Sequence, residues 1–221
     1  MASRGVGIIV RITCKDAESA VKAAQLGRAH FDRQLAGEPG ALRASVLTST
    51  ARPTQVLFEE QWAAAEDYAA HKDTPHLKLF QQELGPLIEG VDEAISVVAF
   101  GRADHFTKPT YALSGIGILV TMTCKDAATT EQLGDLGRAH FGRQLPAEPG
   151  STRATVFSGC ETDAKRVCFV EHWREMVDLV EKHPRGHQDS PHLLAFKEAV
   201  PAVLAGELVV EQFDRIEHFT K

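Results

Sequence analysis

GVGIIVRITCKDA at 5–17 returns as GIGILVTMTCKDA at 115–127, and LGRAHFDRQL at 26–35 returns as LGRAHFGRQL at 136–145. The echo continues. EPGALRASV at 38–46 becomes EPGSTRATV at 148–156, TPHLKLF at 74–80 becomes SPHLLAF at 190–196, and the tail DHFTK (104–108) becomes EHFTK (217–221). A period of about 110 residues is far longer than the roughly 20–50 residues of a solenoid unit. It is the size of a small domain. The chain therefore divides into a first copy at 1–108, a linker at 109–114 and a second copy at 115–221, and its function must explain why one polypeptide carries the domain twice.

Composition removes several classes of function. The net charge is −6 with no basic block, which argues against nucleic acid and against an anionic lipid surface. No apolar run approaches the ~18 residues of a membrane span. The opening MASRGVGIIV reads as a first strand rather than a signal peptide. Four cysteines, Cys14, Cys124, Cys160 and Cys168, make no disulfide framework, so a reducing, cytoplasmic setting is expected. Cys14 and Cys124 are repeat mates that read as strand packing. Cys160 and Cys168 could face each other across a hairpin, but no bond is expected there.

Within one copy, the β-branched run 5–14 predicts a strand. Asp16 is placed to cap a helix with Glu18 in its first turn. Ala20, Ala24, Gly27, Phe31 and Leu35 recur at helical spacing as one apolar stripe. Pro39-Gly40 suits a type II turn. Strands follow at about 41–50 and 55–62, then a short helix at 63–72. Thr74 as cap and Pro75 at the first helical position start a third helix, with Leu77, Phe80 and Leu84 inward, ending near Gly85-Pro86. A last strand is expected at about 93–101. The order β-α-β-β-α-α-β is the split βαβ, ferredoxin-like layout, an α+β domain with helices on one sheet face. Its other face must be covered. The second copy can do this sheet to sheet, closing a barrel and hiding strand edges. Such a pseudo-dimer in one chain would be a monomer or a higher homo-oligomer built from it.

The run from Glu38-Pro39-Gly40 through Phe58-Glu59-Glu60-x-Trp62 to His71, Thr74-Pro75-His76 and Phe80 resembles the antibiotic biosynthesis monooxygenase (ABM) domain of the dimeric α/β-barrel superfamily. The second copy repeats it as Glu148-Pro149-Gly150, Phe169-x-Glu171-x-Trp173, His187, Ser190-Pro191-His192 and Phe196. The resemblance implies an intramolecular dimeric α/β barrel. It also implies a cofactor-independent monooxygenase, an oxidoreductase acting on an electron-rich aromatic or polyketide-like molecule with O₂. The same fold also serves isomerases, polyketide cyclases and proteins of no known activity, so a small-ligand-binding module is a further alternative.

Candidate site residues follow from chemistry and from retention in both copies. His30, His71 and His76 are candidate bases, because an imidazole titrates near neutral pH. Trp62 is a candidate aromatic wall, and Arg11 or Arg33 a candidate oxyanion partner. The second-pocket equivalents are His140, His187, His192 and Trp173. His105 and His218 lie in the repeated tail, which is expected to cross the partner copy in a structural role. No cofactor or metal is expected. With a Pro between His71 and His76 the two rings need not share a face, and His183 and His187 are separated by Pro184-Arg185-Gly186. The haem-degrading relatives carry an Asn in the first strand and a His late in the third helix, where this chain has Val10-Arg11-Ile12 and Phe80-Gln81. The Trp-to-His interval is nine residues in the first copy and fourteen in the second. The added residues, with Pro184 and Gly186, should reshape or plug the second pocket, so the first is expected to be the more competent.

Overall fold

The computed structural model describes residues 2–108, 114–181 and 186–221. The expected linker, apart from Ser114, and the His183–Pro184 break lie outside the described residues, as do the side chains of 2–4, 91 and 92. The first copy forms β1 (Ala2–Thr13), α1 (Ala17–Gly37), β2 (Ala41–Thr48), β3 (Gln55–Trp62), α2 (Ala65–His71), α3 (Pro75–Leu84), a 3₁₀ turn (Gly85–Leu87), α4 (Val91–Ala94) and β4 (Ile95–Thr107). The second forms β5 (Ser114–Thr123), α5 (Ala127–Ala147), β6 (Ser151–Cys160), β7 (Arg166–Trp173), α6 (Met176–Val180), α7 (Pro191–Ala199), a 3₁₀ turn (Val200–Ala202) and β8 (Val209–Thr220). The fold is α+β, two ferredoxin-like halves whose eight strands follow the order β1-β3-β2-β8-β5-β7-β6-β4 and close into a barrel. Among the described residues, no helix is long and apolar enough to cross a membrane.

The last strand of each copy is longer than the periodicity predicts. β4 runs to Thr107 rather than 101, because the DHFTK tail pairs with β6 of the second copy, from Phe100↔Cys160 to Thr107↔Arg153. In return β8 pairs with β2, from Thr48↔Arg215 to Arg43↔Thr220. Each copy's tail is thus absorbed into the other's compact body: residues 5–99 with 213–221, and residues 2–4 with the described residues of 100–212. The tail histidines are buried, with His218 Nδ1 2.8 Å from Ser45 Oγ and His105 Nδ1 3.1 Å from Thr155 Oγ1. The four cysteines are free and buried.

In the first body, α1 begins where Asp16 accepts a 2.7 Å bond from the Ser19 amide and buries Ala20, Ala24, Gly27, Phe31 and Leu35, as its stripe predicts. Thr74 caps α3 through the Leu77 amide. Phe31, Phe58 and Phe80 meet beneath the helices, with Phe31 edge-on to Phe58 at 5.2 Å between centroids. Each such ring contributes about 1.5–3 kcal/mol by leaving water.

The turn before β2 differs from expectation. Ala41 N bonds Glu38 O at 3.1 Å, but Gly40 does not have the positive φ that a type II turn requires. Gly40 is there for space: a Cβ would lie 2.0 Å from Asp67 Cγ on α2. Gly27 meets a similar limit, since its Cβ would fall 2.5 Å from Phe58 Cζ. Alanine normally stabilises a helix interior by about 0.5–1 kcal/mol over glycine. Gly27→Ala should instead destabilise by about 1–3 kcal/mol through overpacking. Gly142→Ala, at an exposed helical position with nothing within 4 Å, should stabilise. Urea midpoints of the two variants check the opposite signs.

Candidate active site

Three side chains from three segments converge in the first body. Glu38 follows α1 and opens the Pro39-Gly40 turn. Lys221 Nζ holds that turn by its carbonyls, donating to Glu38 O and, at 2.8 Å, to Pro39 O. His71 ends α2, and His76 lies in the first turn of α3. His71 Nδ1 and His76 Nε2 each lie 2.7 Å from the same carboxylate oxygen, Glu38 Oε1. A carboxylate only accepts, so each imidazole carries its proton on the nitrogen facing Glu38. His71 Nε2 is then left as a lone pair. Trp62 packs on the His71 ring at 4.8 Å and fixes its plane.

The alternation of β3 explains the Phe-x-Glu-x-Trp signature. Phe58, Glu60 and Trp62 point to one face at every second residue, which is the face that α1 covers. His30 and Gln34 lie one helical turn apart on α1. Gln34 Nε2 donates to Glu60 Oε2 at 3.1 Å, and His30 stacks on Phe80 at 4.9 Å.

A cavity of about 320 Å³ opens over this floor. Its wall is mostly apolar, with Val10, Ile12, Phe31, Phe58, Leu77 and Phe80, and its polar groups are His30, Glu60, Tyr68, His71, Lys72 and Gln81. That size and lining suit a small organic molecule. Burial lowers the His71 pKa, with Glu38 opposing. Burial also drives His30 down to about 3, helped by His71 and His76, so His30 is a neutral imidazole at ordinary pH. Its Nδ1 is buried without a hydrogen-bond partner. Burial raises Glu60 to about 7.

The second body repeats the arrangement. His187 Nδ1 lies 3.0 Å from both Glu148 carboxylate oxygens, and His192 Nε2 lies 2.7 Å from Oε1. Gln144 donates to Glu171 Oε2 at 3.0 Å, and Trp173 Nε1 does so at 3.3 Å. Burial pushes Glu148 up, but the bond and charge of His187 and the charge of His192 outweigh it and hold the carboxyl low. Burial raises Glu171 and lowers His140 to about 3. The described residues leave a cavity of about 320 Å³ here too. Leu179, Val180 and Leu208 stand around it, and the counterpart of Tyr68 is Leu179, which makes this mouth the more apolar.

The remaining sequence candidates lie outside the cavity walls. Trp62 is fully buried against His71, and His76 and His192 are not among the residues that line the cavities. Arg11 bonds Gln55 at 3.3 Å and points away from the cavity-lining neighbours Val10 and Ile12. Arg33 is exposed on α1. Two residues central to the site, Glu38 and Glu60, were legible only as parts of a signature. Their retention as Glu148 and Glu171 was the available signal. Lys108 and Lys221 carried the same signal, since Lys108 Nζ bonds the Glu148 and Pro149 carbonyls as Lys221 bonds those of Glu38 and Pro39.

Two histidines and a carboxylate are also a metal-binding set, and both triads have their ligand atoms close together. The spacing favours hydrogen bonding. Ligand atoms about 2.0–2.1 Å from a tetrahedral zinc stand well over 3 Å apart, whereas both imidazoles approach Glu38 Oε1 to 2.7 Å. Each N–H is satisfied by the carboxylate itself.

Residues 8–83 match the family model described as antibiotic biosynthesis monooxygenase. A comparison with curated proteins finds no match. Among solved structures, a candidate monooxygenase from Fusobacterium nucleatum superposes with a TM-score of 0.80 at 10% identity, covering 100% of this chain and 96% of that one. A candidate monooxygenase from Lactobacillus acidophilus gives 0.75 at 13% identity, with 96% and 94% covered. An anthrone oxidase-like protein gives 0.61 at 14% identity, with 98% and 93% covered. At such identities these likenesses establish the fold.

Proposed function

We propose that this chain, a tandem member of the antibiotic biosynthesis monooxygenase family, is a cofactor-independent monooxygenase of electron-rich aromatic or polyketide-like small molecules. The observation that carries this reading is a histidine held by a glutamate at the wall of an apolar cavity, once in each body. His71 and His187 are the bases. A carboxylate on Nδ1 sets the tautomer and stabilises the imidazolium formed when Nε2 accepts a proton, the logic by which an Asp orients a catalytic His. The base removes a proton from an acidic C–H or phenolic O–H, and the electron pair moves onto the substrate oxygen. The anion gives one electron to O₂, and the resulting radical pair combines as a peroxide. At a methylene carbon, loss of water from the hydroperoxide leaves a ketone. One O₂ is then consumed per substrate, with one oxygen atom in the product and the other in water, and no reductant is required. The apolar walls exclude bulk water from the anion.

Anthrone is the first probe, given the likeness to an anthrone oxidase-like protein. Purified protein with a chelator present should take up one O₂ per anthrone and release anthraquinone, followed with an oxygen electrode and by absorbance. Rearrangement of an enolisable probe without oxygen uptake would place the chain with the isomerases or cyclases instead. Saturable binding of aromatic probes with no turnover would make it a binding module.

A further inference from the structure

Each cavity contains a buried carboxyl that base chemistry at the histidine leaves unused. We propose that Glu60 and Glu171 are the proton donors of the two cavities, each giving a hydrogen bond to the substrate oxygen on which negative charge gathers as His71 or His187 removes the proton. The substrate class narrows accordingly. It must present an enolisable carbonyl or a phenolic oxygen to the glutamate while its acidic hydrogen faces the imidazole. The inference rests on the proton-abstraction reading of the same cavities, but not on whether the anion then meets O₂.

Four observations carry it. Glu60 lines the cavity yet is only 5% exposed, and Glu171 is 6% exposed in the matching place. The groups facing Glu60 are unable to neutralise a carboxylate. From α1 come the amide of Gln34 and the neutral ring of His30, and from β3 itself the uncharged indole of Trp62. Before β2 comes Glu38, which is of the same sign. From α2 come His71, already bound to Glu38, with Tyr68 and Lys72 on the outer wall. The cross-strand neighbours on β1 and β2 are Ile8 and Ala44, and α3 and β4 contribute Leu77, Phe80, Gln81, Leu84, Ile95 and Val97 to the wall. Gln34 uses one amide N–H on Glu60 Oε2, which fixes the carboxyl plane and leaves the other oxygen for the cavity. Finally, the pairing Gln34–Glu60 is repeated as Gln144–Glu171.

Burial without a cation favours the neutral acid. Glu60 is accordingly raised to about 7, so it is a donor below neutral pH and becomes an acceptor above it, and burial raises Glu171 in the same direction. In the reaction the substrate proton passes to His71 Nε2, the electron pair moves to the substrate oxygen, and the Glu60 O–H donates to that oxygen. No further reactant enters this step. An acid and a base of separated pKa in one dry cavity is an arrangement suited to enolisation.

The test uses the full chain, with each variant first shown folded by circular dichroism. In infrared difference spectra, wild type minus Glu60→Gln/Glu171→Gln should show a carboxylic-acid C=O band at pH 6 that fades as the pH rises through about 7. Bound anthraquinone, used as a probe ligand, should have its carbonyl stretch lowered by wild type and by the Gln variant, which still has an N–H, and not by Glu60→Ala/Glu171→Ala. With anthrone, the Ala variant should lose about 10²–10³-fold in kcat, as for removal of an oxyanion donor. The Gln variant should stay active and lose the alkaline fall in rate. Absence of the band, or of the glutamate-dependent carbonyl shift, overturns the proposal. If His71→Ala/His187→Ala abolishes turnover while the Glu60→Ala/Glu171→Ala protein runs at the wild-type rate, the donor role fails and the base reading stands. If wild type takes up no O₂ with anthrone but the band and the carbonyl shift follow Glu60, the monooxygenase reading fails and the donor role stands.

Discussion

Replacing both candidate bases, His71→Ala/His187→Ala, should lower anthrone turnover about 10²–10⁴-fold, the usual cost of losing a general base. The two bodies have the same Glu–His–His hydrogen bonds and cavities of about 320 Å³ each. Each single variant should therefore keep activity through the other cavity, losing a fraction rather than orders of magnitude. A collapse in His71→Ala alone would restore the asymmetry that the longer Trp173–His187 segment suggested. His76→Ala removes the second donor on Glu38 without touching the cavity wall, so it should cost less than His71→Ala. Rates against pH separate these roles. Burial lowers the His71 pKa, so its imidazole is unprotonated, and competent as a base, to below the ordinary histidine value of 6.5. The acid limb of the rate profile should fall there and disappear in the double variant. Unchanged rates in the double variant would remove both histidines from the chemistry.

Trp62→Ala should cost about 3–5 kcal/mol of stability, the range for truncating a large buried aromatic side chain. Trp62 is fully buried, among Ile8, Leu35 and Ala41. Its backbone carbonyl also stands where a Gly5 Cβ would lie, at 2.1 Å, so the strands cannot close on the void. For a chain of this length a loss of that size lowers Tm by roughly 6–20 °C if unfolding is cooperative. The two tryptophans should respond differently to phenylalanine. Trp62 Nε1 is buried near Glu60 without a well-formed hydrogen bond, so Trp62→Phe gives up only a weak interaction. Trp173 Nε1 donates to Glu171, so Trp173→Phe loses a hydrogen bond as well and should be the less stable of the two. Calorimetry on the pair decides this, and the reverse order would contradict the hydrogen-bond assignment.

The strand and helix pattern was legible because it is local. Asp16 and Thr74 cap the helices they precede, the α1 stripe is buried as its spacing requires, and Gln55–Trp62 is a strand at the bounds its composition marks. The repeat itself announced two ferredoxin-like halves, because a half-covered sheet needs a partner face. The exchange of tails was only partly legible. The final strand looks like a strand that stops near 101, since the periodicity of one copy does not show the pairing of residues 102–107 with β6, more than forty residues away. The Pro39-Gly40 turn was misread as conformational when the requirement is space for Asp67, a contact between segments that no dipeptide preference contains.

The site divides along the same line. Sequence alone nominated His30, His71, His76 and Trp62, since chemistry-bearing residues kept in both copies are visible without a fold. Only the tertiary structure decided their roles. His71 is the proposed base because Glu38 arrives from a different segment to take its Nδ1, and Lys221, 183 residues further along, holds the turn that delivers Glu38. His30 is neutralised by burial beside two other imidazoles. Arg11 is turned away by the alternation of β1. Glu60 passed as one charge in a strand until burial between α1 and the sheet raised its pKa. Residue types and spacings are properties of the chain, but solvent exclusion and charge proximity depend on which distant segments pack together, and those two quantities set a pKa and aim a proton.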